Sequence, residues 1–219
     1  MKTCTAKRSP YFHCANLLDS GLWNAAEIIG IDQHRPESGE FIPKAEVRLL
    51  WCEQGILGRF RVEDRYVRCM TTGFQDHVCS DSCVEFFVMP AGNRGYVNFE
   101  FSGGGVLHTS HITDWTRTAD GFGARHKLTE AEAEGIVCAS TLPRNIAEIA
   151  DQVTWELGFF VPFTVFEKLG FKPPVSGDVW TCNFYKCGDD TRYPHWLAWN
   201  PVDELNFHLP RCFGELRFE

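Results

Sequence analysis

The sequence predicts an all-β protein, a β-sandwich of two mainly antiparallel sheets with one or two short helices. Three observations carry that expectation. Apolar and polar residues alternate with period two in run after run. Gly and Pro punctuate those runs, with 19 Gly and 11 Pro in 219 residues. Only one short segment reads as helix. No repeat, low-complexity tract or linker divides the chain, so residues 1–219 read as one domain.

The elements follow in order. "AEVRLLWCEQGILGRFRVED" alternates twice, with Val47, Leu49 and Trp51 on one face and then Ile56, Gly58, Phe60 and Val62; Glu53-Gln54-Gly55 is the turn. "SCVEFFVMPAGNRGYVNFEFS" reads as a hairpin. Residues 106–126 read as a Gly- and His-bearing loop with one strand at most, and residues 127–150 carry no clear period. "TWELGFFVPF" is a strand running into Pro162, "FTVFEKLG" a short helix ending at Gly170, and "PPVSGD" a turn. "VWTCNFYKCG" is a strand with Trp180, Cys182 and Phe184 on its core side, and a last strand falls near residues 213–218.

The hairpin poses the functional question. If Met89 pairs with Tyr96 across the turn Pro90–Gly95, then Val88 faces Val97, Phe86 faces Phe99 and Val84 faces Phe101. All six are apolar, and a slip of one residue would lose the match. The other face then holds Cys83, Glu85, Phe87 and Met89 beside Tyr96, Asn98 and Glu100. Glu85 lies across from Glu100, and like charges directly opposite destabilise a strand pair unless they are solvated, share a proton, hold a cation or meet a ligand. An ordinary solvated outer face is the simplest alternative.

Composition narrows the partners. The formal charge is −8, which argues against nucleic acid or an anionic membrane, since both need a basic surface. No run approaches a membrane span. The N-terminal MKTCTAKRSPYFH has no apolar core of a signal peptide, so the chain reads as cytoplasmic as it stands and as secreted if a leader has been removed. Oligomeric state is not readable. None of the ten cysteines forms a C-x-x-C pair, which argues against zinc ribbons and thioredoxin-type sites. Buried free thiols are favoured over disulfides.

Other chemistry is weaker. His108 and His111 in "HTSH" offer two metal ligands without a third, so they default to surface histidines. "FSGGGV" lacks the Lys-Ser/Thr of a phosphate loop. Asp76 and Asp81, or Asp189 and Asp190, offer carboxylates for calcium, although turn acidics are usually only solvated. Met70 and Met89 are the only internal methionines available to a haem-binding sandwich.

The motifs "SGLWNAAEIIGI", "AEVRLLWCEQGILGRFRVED", "DSCVEFFV", "YVNFEF", "TWELGFFVPF", "WTCNFYKCGDD" and "FHLPRCFGELRF" occur in an order that resembles the family 9 carbohydrate-binding modules, the type appended to xylanases. The resemblance spans roughly residues 20–218. It implies a non-catalytic sandwich that binds plant-type polysaccharide, xylan- or cellulose-like, at reducing ends, as an accessory to glycoside hydrolysis. It also implies structural calcium in some members and requires no other cofactor. "SGLWNAAEIIGI" would be the opening Trp-bearing strand. Glu85 matches the Glu that hydrogen-bonds the sugar, and Tyr96 stands where some members have an arginine. The family clamps its sugar between two tryptophans; those positions are Cys79 and Phe207 here, and Trp196 and Trp199 lie close enough in sequence to substitute.

The expected carbohydrate-binding residues are therefore Glu85, Tyr96, Asn98, Glu100, Lys186, Trp196, Trp199 and Phe207. They supply rings for the C–H faces of a pyranose and polar groups for its hydroxyl rim. Lys186 taken alone reads better as a solvated lysine, and Trp180 as core. Two alternatives stand beside this reading: a glycoside hydrolase using the Glu85/Glu100 pair, and an interaction sandwich whose sugar site has decayed.

Overall fold

The computed structural model describes residues 1–9, 17–19, 21–92, 94–119 and 121–219. The strands are β1 (Thr3–Arg8), β2 (Ile29–Ile31), β3 (Gln33–His34), β4 (Lys44–Cys52), β5 (Gly55–Asp64), β6 (Val67–Cys69), β7 (Cys83–Met89) and β8 (Tyr96–Ser102). They continue with β9 (Leu107–Thr118), β10 (Gly121–Lys127), β11 (Val137–Ser140), β12 (Ile146–Ile149), β13 (Val153–Pro162), β14 (Val179–Cys187), β15 (Trp196–Ala198) and β16 (Gly214–Phe218). The single α-helix among the described residues is α1, Phe163–Lys168, after which Gly170 takes φ +84°; a positive φ at the end of a helix suits glycine.

Two sheets face each other. One runs β10-β9-β8-β7-β14-β16-β1, and the other runs β1-β4-β5-β13-β11. Strand β1 belongs to both. Thr3–Ala6 pair in parallel with Glu215–Phe218 of β16, and Lys7 and Arg8 then pair with Leu50 and Trp51 of β4. The remaining pairings in these two sheets are antiparallel. Strands β6 and β12 form a small separate pair.

The core fills the space between the sheets. The β7–β8 hairpin has the register that the apolar match predicts: Val88 faces Val97, Phe86 faces Phe99, Val84 faces Phe101, and Glu85 faces Glu100. All six apolar side chains are buried in the main core. Phe86 stacks on Phe184 of β14 at 5.3 Å and on Phe159 of β13 at 5.7 Å, so one ring touches both sheets. Trp180 is core as expected.

Three readings are corrected, and one holds. Residues 107–127 are a long two-stranded hairpin, β9–β10, and the loop expectation fails there. Residues 127–150 contain β11 and β12. Trp23 sits in a 3₁₀ turn, Leu22–Ala25, and not in a strand; its indole N–H donates to the Leu17 carbonyl. The nine described cysteines are free thiols, as favoured, and Cys14 lies outside the described residues.

Candidate functional site

The outward face of the β7–β8–β14 region is not a solvated surface. The segment from Val202 to Phe213 folds over part of it, and a second apolar cluster forms beneath, built on Phe87, Tyr96, Tyr185 and Phe213. Where that cover ends, a cavity of about 440 Å³ opens, within the roughly 300–1,000 Å³ of small-molecule sites. Glu85, Asn98 and Glu100 lie on its floor.

Strand geometry places these three. Glu85 on β7 sits between Glu100 of β8 and Tyr185 of β14. Asn98 and Glu100 are two apart on β8 and so share a face. The Asn98 amide donates to Glu100 Oε1 and accepts from the Ser110 backbone N–H at 2.6 Å. Glu85 and Asn98 are each 2% exposed, and Glu100 is 8% exposed. Burial first, and the adjoining Glu100 carboxyl second, push the Glu85 carboxyl well above the usual carboxylate range. Burial raises Glu100 to about 7.

That shift has a consequence for stability. A carboxyl whose folded value lies above its unfolded value favours folding fully below the unfolded value, and that contribution disappears as pH rises through the folded value. For Glu100 the window runs from the ordinary 4.5 to about 7. Glu100→Gln is expected to be more stable than the wild type above that window, on the order of 3 kcal/mol. The gain should shrink towards zero at acid pH. Urea melts of both proteins across the window check this; a gain that does not change with pH contradicts it.

The walls come from three places. The β9–β10 hairpin contributes His108, Arg117, Phe122, Arg125 and Lys127. The Arg117 guanidinium lies 4.3 Å from the Phe122 ring centre and donates to Asn206 Oδ1 at 2.9 Å, tying the hairpin to the C-terminal segment. His108 Nδ1 is 3.2 Å from the carbonyls of Gln75 and Asp76. Carbonyls only accept, so Nδ1 carries the ring proton and Nε2 remains an acceptor. The C-terminal segment contributes Phe207, whose ring stacks on Tyr185 at 4.1 Å and 11°. The third side holds His77, Cys79, Asp189 and Trp196. Trp196 is half-buried, and its indole N–H donates to Asp189 Oδ1 at 2.8 Å.

Of the residues expected at the site, the structure gathers Glu85, Asn98, Glu100, Trp196 and Phe207 around this cavity. Three lie elsewhere. Tyr96 is fully buried under the C-terminal cover, with Phe213 against its ring and its hydroxyl 2.7 Å from His208 Nδ1. Trp199 is 4% exposed in the main core, packed on Phe184. Lys186 is fully buried and points between the sheets. Its ammonium meets Asp64 Oδ2 at 3.4 Å, His195 Nε2 at 2.6 Å and the Cys187 carbonyl at 2.9 Å. Neither a site lysine nor a solvated one describes it.

His108 and His111 do not converge. His108 lines the cavity, and His111 Nε2 reaches the Arg94 carbonyl outside it; residues three apart on a strand face opposite ways. Asp76 accepts the backbone N–H groups of Thr72 and Gly73, and Asp81 those of Met70 and Thr71. Neither these nor Asp189 and Asp190 form a three-ligand group among the described residues. The hairpin wall is what sequence reasoning missed. Its signal is Asp120-Gly121, a hairpin dipeptide between two strand-length runs.

A sequence model of the family described as "Carbohydrate-binding family 9" matches residues 14–218. No curated protein sequence matches. Among solved structures, a Bacteroides uniformis protein described as a candidate carbohydrate-binding protein aligns with a TM-score of 0.85 and 26% identity, covering 100% of this chain and 99% of that one. A family 9 carbohydrate-binding module of Caldicellulosiruptor kristjanssonii in complex with glucose aligns at TM-score 0.68 and 12% identity, covering 100% of this chain and 96% of that one. The module in complex with cellotriose aligns at 0.67 and 11%, covering 100% and 94%. At those identities the two Caldicellulosiruptor structures are similar to this chain in fold.

Proposed function

The chain belongs to carbohydrate-binding family 9, and from that premise and the cavity's geometry we propose that it binds the end of a plant-type oligosaccharide, cellulose- or xylan-like, without cleaving it. The observation that carries this reading is the floor of the cavity. Glu85, Asn98 and Glu100 stand side by side there, and the rings of Trp196 and Phe207 line the same space. Carboxyl and amide groups suit the hydroxyl rim of a pyranose, and the rings suit its C–H faces. A cavity of small-molecule size suits a chain end more than a long run of polysaccharide. An accessory role beside a glycoside hydrolase is the corresponding biological reading.

Two departures shape the proposal. Cys79 stands where the resemblance expects one stacking tryptophan, and Phe207 where it expects the other. Trp196 lies in the same cavity as Cys79 and is proposed to provide the stacking surface in its place. A glycan array carrying cello-oligosaccharides, xylo-oligosaccharides and uronate-containing chains tests this. The wild type is expected to bind one class selectively. Trp196→Ala is expected to bind roughly 5- to 30-fold more weakly, the equivalent of about 1–2 kcal/mol for a lost stacking surface. No binding to any class, or full affinity in Trp196→Ala, counts against the proposal; release of reducing sugar from a bound chain would point to the hydrolase alternative.

A further inference from the structure

One end of the cavity floor carries two thiols that sugar binding does not use, beside a Glu85 carboxyl that both readings share. Cys83 of β7 and Cys187 of β14 are directly opposite each other on neighbouring strands. Glu85 is two residues beyond Cys83 and so shares its face. Cys187 Sγ lies 3.1 Å from Glu85 Oε1, and Cys83 Sγ lies 3.9 Å from the same oxygen. The three side chains are at most 2% exposed. One ligand atom from each falls within 4.8 Å of the others.

We propose that Cys83, Glu85 and Cys187 form a binding site for a thiophilic divalent cation of the zinc class. Zinc legs of about 2.3 Å to sulfur and about 2.0–2.2 Å to oxygen give tetrahedral edges of roughly 3.4–3.8 Å. The observed edges of 3.1 and 3.9 Å straddle that range. Two sulfur ligands select zinc over calcium or magnesium, which prefer oxygen throughout. The surroundings point the same way. The donors seen on Glu85 Oε1 are thiols, and S–H is a weak donor for a buried carboxylate. A cation replaces those two weak bonds with two thiolate ligands and a carboxylate, and the two thiol protons, with any proton on the Glu85 carboxyl, leave to solvent as the ion binds. Glu85 and Cys187 both line the cavity, so the ion has an entry path and a fourth position facing solvent or ligand.

The site shares Glu85 with the proposed sugar floor, but its test needs no sugar and reads the thiols alone. Co²⁺ titration of the full-length reduced protein tests it directly, because thiolate ligands give cobalt an intense charge-transfer absorption that oxygen and nitrogen ligands do not. The expected result is one equivalent of such absorption, displaced by Zn²⁺, lost in Cys187→Ser and kept in Cys212→Ser. X-ray absorption of the zinc-loaded wild type, which needs no variant, is expected to show sulfur scatterers at about 2.3 Å. No charge-transfer band, a band unchanged in Cys187→Ser, or zinc held by oxygen and nitrogen alone overturns the proposal.

Discussion

Glu85→Ala is expected to weaken saccharide binding roughly 10- to 100-fold while leaving the chain folded. The carboxyl lies on the cavity floor, 2% exposed, between Glu100 and Tyr185. Removing a buried hydrogen-bond partner leaves the facing hydroxyl unsatisfied at a cost of about 1–3 kcal/mol, and each 1.4 kcal/mol is about tenfold in affinity. The fold should tolerate the change, because the variant removes a carboxyl whose burial is itself unfavourable. Calorimetric titration with the saccharide class selected on the array measures the affinity, and circular dichroism checks the fold. Unchanged affinity in a folded Glu85→Ala protein would remove Glu85 from the site.

The largest stability effect should come from Lys186→Met. Lys186 and Asp64 are both fully buried, and their 3.4 Å pairing joins the two sheets. The pair is well satisfied. Asp64 also accepts from the Trp155 indole N–H at 3.2 Å and from the Arg65 backbone N–H at 2.8 Å. His195 donates Nδ1–H to the Tyr193 carbonyl at 2.9 Å, which leaves Nε2 to accept from Lys186 at 2.6 Å. Burial, and then the Lys186 charge, lower the His195 value to about 3, so the ring stays neutral.

Removing the cation leaves a buried carboxylate without its partner, which costs about 3–5 kcal/mol. For a chain of this length that is on the order of a 10 °C fall in Tm. The double variant Lys186→Met/Asp64→Leu should recover most of the loss, since an apolar pair of similar volume removes both charges together. Thermal and urea melts of the single and double variants measure this. A single variant within about 1 kcal/mol of wild type would show that the buried pair does not carry stability. Saccharide affinity should stay unchanged in the folded Lys186→Met protein, because Lys186 faces away from the cavity.

The hairpin's register was legible because six apolar side chains match only one way across β7 and β8, and the Glu85–Glu100 pairing follows from that alone. The position of Lys186 is legible as well, and it overrides the expectation of a solvated lysine. Trp180, Cys182 and Phe184 mark the core side of β14, and Lys186 continues their parity. Alternation therefore turns it inward, and the preference of lysine for solvent gives way once Asp64 is there to meet it.

Tyr96 is a different case. Its face was read correctly, but the C-terminal segment that covers it lies more than a hundred residues away in sequence. No local pattern reveals such a cover. The basic wall at Arg117, Arg125 and Lys127 went unread because its strands are polar on both faces at their outer ends, where burial does not enforce alternation. The Cys83–Cys187 pairing is likewise non-local. Searching for C-x-x-C spacing misses a ligand pair that strand pairing assembles across the sheet.

The most direct test of the central claim is a ¹H–¹⁵N correlation titration of the wild-type protein with the saccharide class chosen on the array. If the cavity holds the sugar, the Trp196 indole resonance should shift with saturating occupancy, together with the amides of Glu85, Asn98 and Glu100. The same titration of Glu85→Ala should give no saturating shifts at those positions. Saturating shifts confined to residues outside the cavity, or a spectrum unmoved at millimolar saccharide, would contradict the assignment of this floor as the binding site.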